Sequence, residues 1–162
     1  MIVKIKKLNE NAVIPFRKHV GDACQDLIAT SYKYNPKYDR FEYGLGFATE
    51  FDPTYEAEIR PRSTNTKKEC YIPNAPGTID SNYRGEWFVM YKLRTPFEQL
   101  FPDCTPENRD LCILEMENEY APYKVGEAVA QVKFNRILTS EWIKVDELSD
   151  TERGADGGLI RN

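Results

Sequence analysis

Between Gly77 and Glu86 the chain reads Gly-Thr-Ile-Asp-Ser-Asn-Tyr-Arg-Gly-Glu, with one carboxylate, Asp80, three residues before one aromatic ring, Tyr83, and a glycine on either side. A carboxylate can orient and deprotonate a water, and a ring at that spacing can lie against a sugar. The flanking glycines predict a tight hairpin, whose tip exposes backbone donors and acceptors able to read the edge of a planar base. An ordinary turn with an aspartate in it has the same spacing. Arg60-Pro61-Arg62-Ser63, followed by Thr64-Asn65-Thr66-Lys67-Lys68, brings two guanidinium groups, a hydroxyl and free amides to the start of a short helix. That set makes either a phosphate cradle or a solvated basic turn.

Three further positions could contribute. In the strand-like run Gly126 to Phe134, alternation puts Ala128, Ala130, Val132 and Phe134 on one face and Gln131, with Val129 and Lys133, on the other. There the Gln131 amide meets either a ligand oxygen or solvent. Asp26 sits in another strand-like segment, Gly21 to Leu27, where a carboxylate can orient a hydrated cation. Arg153 hangs on a glycine-rich tether, Arg153-Gly154-Ala155-Asp156-Gly157-Gly158, and either closes over a triphosphate or ends a solvated tail.

The elements that must hold these groups read as strands. Prolines and glycines punctuate the chain, and the apolar runs between them are short and rich in Val, Ile, Phe and Tyr. Val3 to Lys6 alternates like a half-exposed strand, whereas Trp87 to Tyr91 is apolar throughout, like a strand covered on both faces. Further strands are expected at Gly46 to Phe51, Tyr55 to Ile59, Ala128 to Phe134 and Trp142 to Val145. The pattern predicts an all-β sandwich or jelly roll occupying residues 1–148 as a single domain, with 149–162 as a flexible lid. A long excursion, residues 94–123, separates two strands and holds a short helix near Glu107 to Glu115.

At 162 residues, 41% hydrophobic and 30% charged, the chain has the composition of one globular domain. A formal charge of -4 offers no general attraction for a nucleic-acid backbone, and no apolar stretch reaches the roughly 20 residues that span a bilayer. These features point to a soluble, cytoplasmic protein without nucleic-acid or membrane partners. Cys24, Cys70, Cys104 and Cys112 lack metal-ligand spacing, so free thiols are expected, with Cys104 and Cys112 in one loop. His19 has no triad partner and reads as a loop residue.

Taken in order, these segments resemble the five motifs of the trimeric deoxyuridine triphosphatase (dUTPase) family. The resemblance rests on Gly21-Asp22-Ala23 with Asp26-Leu27, Pro61-Arg62-Ser63, Asn74-Ala75-Pro76-Gly77 through Gly85, Gly126-Glu127 with Ala130-Gln131, and Thr151, Arg153-Gly154 and Gly157-Gly158. It implies a distorted jelly-roll, or β-clip, subunit in a threefold homotrimer whose active sites use motifs from more than one chain. It further implies Mg²⁺-dependent hydrolysis of dUTP to dUMP and pyrophosphate, keeping uracil out of DNA. Asp80 would hold the 3′-hydroxyl and activate water, and Tyr83 would pack under the sugar. Asn74 and backbone groups of the hairpin, including Gly77 and Ile79, would read uracil. Arg62, Ser63 and Gln131 would contact phosphates, Arg153 would reach the γ-phosphate, and Asp26 would bind waters of the Mg²⁺.

The chain departs from the family pattern in four places. Thr64-Asn65-Thr66 follows Arg-Ser where small and apolar residues are usual, and Cys24-Gln25 replaces a glycine and an apolar residue. The excursion is longer than the family norm, and Leu159 stands where an aromatic covers the uracil. The last departure suggests a looser lid. Two alternatives share the fold: a dCTP deaminase-like enzyme, which needs an acid at the base, and a nucleotide-binding regulatory protein with weak catalysis.

Overall fold

The structure is a computed structural model, describing residues 1–152 and 154. The predicted lid residues Arg153 and Leu159 lie outside the described residues. The described strands are β1 (Val3–Lys7), β2 (Gln25–Ile28), β3 (Ser31–Asn35), β4 (Arg40–Gly44), β5 (Phe47–Phe51), β6 (Tyr55–Arg60), β7 (Cys70–Tyr71), β8 (Gly77–Ile79), β9 (Phe88–Leu93) and β10 (Ala128–Arg136). Helices α1 (Phe97–Leu100) and α2 (Arg109–Glu119) lie in the excursion, and a 3₁₀ turn covers Ser63–Lys67.

All pairings between these strands are antiparallel, in sheets of order β2-β10-β6-β8 and β3-β4-β9-β7 and a ribbon β1-β5. The expected all-β architecture is present. Between the sheets lies a core centred on Leu27, Phe41, Tyr43, Trp87, Tyr91 and Val132, each almost wholly buried. Buried tyrosine hydroxyls need partners, since an unmade bond there costs about 1–3 kcal/mol. Tyr91 donates to the Val129 carbonyl at 2.8 Å and Tyr43 to the Tyr123 carbonyl at 3.0 Å. Burial raises the pKa of both phenols, so they stay neutral donors.

Four expectations are corrected. Gly77 to Glu86 is not a hairpin with paired arms: β8 pairs with β6, and β9 pairs with β4 and β7, so the turn crosses from one sheet to the other. The apolar run at β9 is not covered on both faces. Val89 and Tyr91 are buried, while Phe88 and Met90 face the cleft described below. In β10 the ladder to β2 shifts register between Ala128 and Ala130, so Val129 turns into the core, against simple alternation. Finally, Trp142 to Val145 forms no strand. Its side chains are exposed, Trp142 by 94%, and none of the described strands of the same chain pairs with it.

The excursion packs back onto the body. Glu117 of α2 accepts the Tyr34 amide at 2.7 Å, which satisfies β3, an edge strand, and Phe97 stacks on Tyr34. Burial and the neighbouring Cys104 raise the pKa of the Cys112 thiol, but Cys112 sits on α2 rather than sharing one loop with Cys104. All four cysteines are free.

Candidate active site

A cleft of about 270 Å³ opens where β8 gives way to the crossing turn. Asn74, Gly77, Ile79, Asp80 and Tyr83 all line it, so the structure gathers the described residues expected at the base and sugar, Leu159 lying outside them. β8 is held in register by β6, Gly77 opposite Ile59 and Ile79 opposite Ala57, which fixes where the turn begins. Bare Gly77 leaves room beside the Asn74 amide: an added Cβ would lie 3.4 Å from Asn74 Nδ2. The Tyr83 amide donates to the Asp80 carbonyl at 3.1 Å, closing the turn, and the Tyr83 hydroxyl donates to the Glu86 carbonyl at 3.1 Å. Among the described residues the Asp80 carboxylate has no hydrogen-bond donor, leaving it available to a ligand or water.

Sequence reasoning gave Glu86 no role, yet its carboxylate lines the same cleft and accepts the Gly46 amide at 2.8 Å. Gly44 makes room for that carboxylate, which an added Cβ would approach to 2.7 Å. Phe88 and Met90 supply an apolar wall. The signal for both was an apolar run longer than one buried face requires.

The phosphate-binding candidates form a second cluster. Gln131 of β10 stands between Asp26 of β2 and Arg60 of β6, and its Nε2 donates to the Pro61 carbonyl at 2.9 Å. Arg62 grips Asp26 with both arms of its guanidinium, Nε to Oδ1 at 2.8 Å and Nη2 to Oδ2 at 3.1 Å. Asp26 and Arg62, expected to meet a hydrated metal and a phosphate separately, thus form an ion pair with each other. Ser63 opens the 3₁₀ turn with its side chain exposed. That turn is braced by the end of the excursion: the Tyr123 hydroxyl donates to Asn65 Oδ1 at 3.0 Å, and Lys68 caps the Pro122 carbonyl. None of Asp26, Arg62, Ser63 and Gln131 lines the Asp80 cleft. The cleft and the charged cluster are built from different side chains of the β2-β10-β6-β8 sheet, its flanking turns and, for the cleft, β9.

The described residues contain no group of three or more His, Cys, Asp or Glu side chains placed to hold a metal ion. The donor set fits an ion carried in on a ligand and met through water by Asp26, whose oxygens keep lone pairs beyond those Arg62 uses. It does not fit an ion caged by the protein.

The fold is all-β, with an open cleft on one side and a cluster of charged and polar side chains beside it. No family model matches the chain. Individual relatives do: it is 36% identical over 158 residues to the deoxyuridine 5′-triphosphate nucleotidohydrolase of Nautilia profundicola, covering 97% of this chain and 96% of that one. It is 32% identical to the enzyme of the same name from Hydrogenobaculum, covering 98% and 96%. Among solved structures, the dUTPase of Staphylococcus bacteriophage 80alpha with dUpNHpp superposes with a TM-score of 0.70 at 20% identity, covering 96% of this chain and 95% of that one. The dUTPase of phage phi11 of S. aureus, described with a structural Mg(II) ion, gives 0.64 at 18% identity, covering 93% and 100%. The chain belongs to the deoxyuridine 5′-triphosphate nucleotidohydrolase family.

Proposed function

We propose that this protein hydrolyses dUTP to dUMP and pyrophosphate, and that Asp80 is its catalytic base. The carrying observation is the gathering of Asn74, Gly77, Ile79, Asp80 and Tyr83 around one cleft. Asn74 and backbone groups at Gly77 and Ile79 read the uracil edge, and Tyr83 packs under the deoxyribose. Asp80 holds the 3′-hydroxyl and orients a water. Its carboxylate takes the proton as the water oxygen bonds the α-phosphorus and the bond to the bridging oxygen of the leaving pyrophosphate breaks.

Arg62, Ser63 and Gln131 bind the phosphates, with Arg153 reaching the γ-phosphate and Leu159 lying over the base. Mg²⁺ on the triphosphate would offset charge on the departing pyrophosphate. Asp26 would touch that ion's waters while keeping Arg62 aimed. That Asp26, Arg62, Ser63 and Gln131 do not line the Asp80 cleft of their own chain supports a homotrimer in which one copy's cleft meets another's phosphate cluster. The exposed apolar residues Leu138, Trp142 and Ile143 are a surface suited to contact with a second copy. Among the described residues no helix is long and apolar enough to cross a membrane.

The test mixes the protein and Mg²⁺ separately with dUTP, dCTP, dTTP and UTP and follows pyrophosphate and ammonia. Pyrophosphate from dUTP alone is expected, abolished by chelation. Asp80→Asn should keep nucleotide binding and lose turnover by roughly 10²–10⁴-fold; near-normal turnover would remove Asp80 from its role. Glu86, a second carboxylate in the cleft, is the reason to measure ammonia. Its release from dCTP would replace this reading with deamination.

A further inference from the structure

The turn carrying Asp80 and Tyr83 has little support of its own. The β8 ladder ends at Ile79 and β9 begins at Phe88; the far end of the crossing segment is tied to the scaffold through Trp87, bonded to Phe47 and Leu45, and through the Glu86 carboxylate, which accepts the Gly46 amide, leaving residues 80–85 between these anchors. Within the turn, the bonds are those of the Tyr83 amide to the Asp80 carbonyl and the Tyr83 hydroxyl to the Glu86 carbonyl. A stretch anchored only at its two ends keeps conformational freedom in its middle.

Arg84 ties it to the scaffold. Its Nη1 lies 2.6 Å from the Ser81 carbonyl, 3.2 Å from the Tyr83 carbonyl and 3.4 Å from the Thr49 carbonyl. Two of these acceptors belong to the turn and the third to β5. Its Nη2 is 3.8 Å from Glu50 Oε2, and the other oxygen of Glu50 accepts Lys4 Nζ at 2.5 Å. Lys4 and Glu50 are cross-strand partners in the β1-β5 ribbon, so the chain of contacts runs from the turn into paired structure. A guanidinium, with five donors in a fixed fork, suits several acceptors at once; an ammonium does not hold them in one plane.

We infer that Arg84 is a positioning residue for hydrolysis, holding Asp80 and Tyr83 in the cleft by joining the turn's carbonyls to Thr49 and Glu50 of β5. The inference rests on the reading of Asp80 given above. Arg84 acts through the turn rather than on substrate, so its loss should affect turnover more than binding. Displacing a reacting group by about 1 Å can cost about 10²-fold in rate.

The test uses the full chain with Arg84→Ala, and with Arg84→Gln as a milder variant that retains one amide donor. kcat and KM for dUTP are measured alongside amide hydrogen exchange across residues 80–84 of the free protein. Arg84→Ala should lower kcat about hundredfold, with KM rising no more than about tenfold as Tyr83 shifts with the turn, and methylguanidinium should restore part of kcat. Exchange at the Tyr83 amide should quicken about tenfold or more while β4 amides are unchanged. Wild-type kcat in Arg84→Ala, or unchanged exchange in the turn of either variant, would overturn the inference. If the wild-type protein releases no pyrophosphate from dUTP, the dUTPase reading fails, and the exchange measurement still decides whether Arg84 holds the turn.

Discussion

At the scale of single residues, the cleft proposed for the base and sugar was legible as a cluster because its residues are neighbours in sequence. Asn74 to Tyr83 is one run, and a turn brings its members together whatever the rest of the fold does. The Asp26–Arg62 pair was not legible as a pair, because its partners are separated by 36 positions and meet only through the β2-β10-β6 sheet. Gly85 makes the residue-scale logic testable. A Cβ there would run into the Tyr83 ring, which folds back over this position to reach the Glu86 carbonyl. Gly85→Ala should therefore swing the ring away from its place beside the sugar. We expect the KM for dUTP to rise about tenfold, equivalent to about 1.4 kcal/mol, with the fold intact by circular dichroism. An unchanged KM would show that the ring's position does not govern binding.

At the scale of elements, β1, β5, β6, β9 and β10 were legible as strands, whereas β3 and β4 were not expected although Phe41 and Tyr43 alternate on one buried face. β9 looked doubly covered because Phe88 and Met90 are apolar for the cleft's sake, and β10 broke its alternation at a bulge that periodicity cannot reveal. The β3-β4 hairpin offers an electrostatic check. Desolvation by burial raises the pKa of the Glu42 carboxylate, but its bonds from Arg40 and Asn35 and the nearby Lys33 outweigh this and hold it below the ordinary 4.5. A carboxylate with a depressed folded-state pKa stabilises the fold above its unfolded value and loses that contribution as pH falls through the folded one. Urea midpoints should thus decline on acidification below about pH 4.5, and less steeply in Glu42→Gln than in wild type. Parallel declines would place the acid sensitivity elsewhere, with Glu58, whose pKa is held down by Arg60, as the next carboxylate to examine.

At the scale of the whole molecule, the strand predicted at Trp142 to Val145 and absent from the isolated chain bears on assembly. The strand was expected from its apolar residues Trp142, Ile143 and Val145, all exposed in this structure, and sequence cannot say whether their cover comes from the same chain or another. The cleft and the charged cluster pose the same question in catalytic form. If the Asp80 cleft of one copy works with the Gln131 cluster of another, two inactive proteins can repair one another. Asp80→Asn and Gln131→Ala copies, each nearly inactive alone, would be unfolded together and refolded as mixed trimers. Random pairing of one cleft with one cluster leaves both intact in about a quarter of the sites, so about a quarter of wild-type turnover should return. Sites built within a single chain would gain nothing from mixing, because every chain would still carry one lesion. Recovery that depends on refolding the two proteins together, and is absent when they are refolded apart, would locate the active site at the junction between copies.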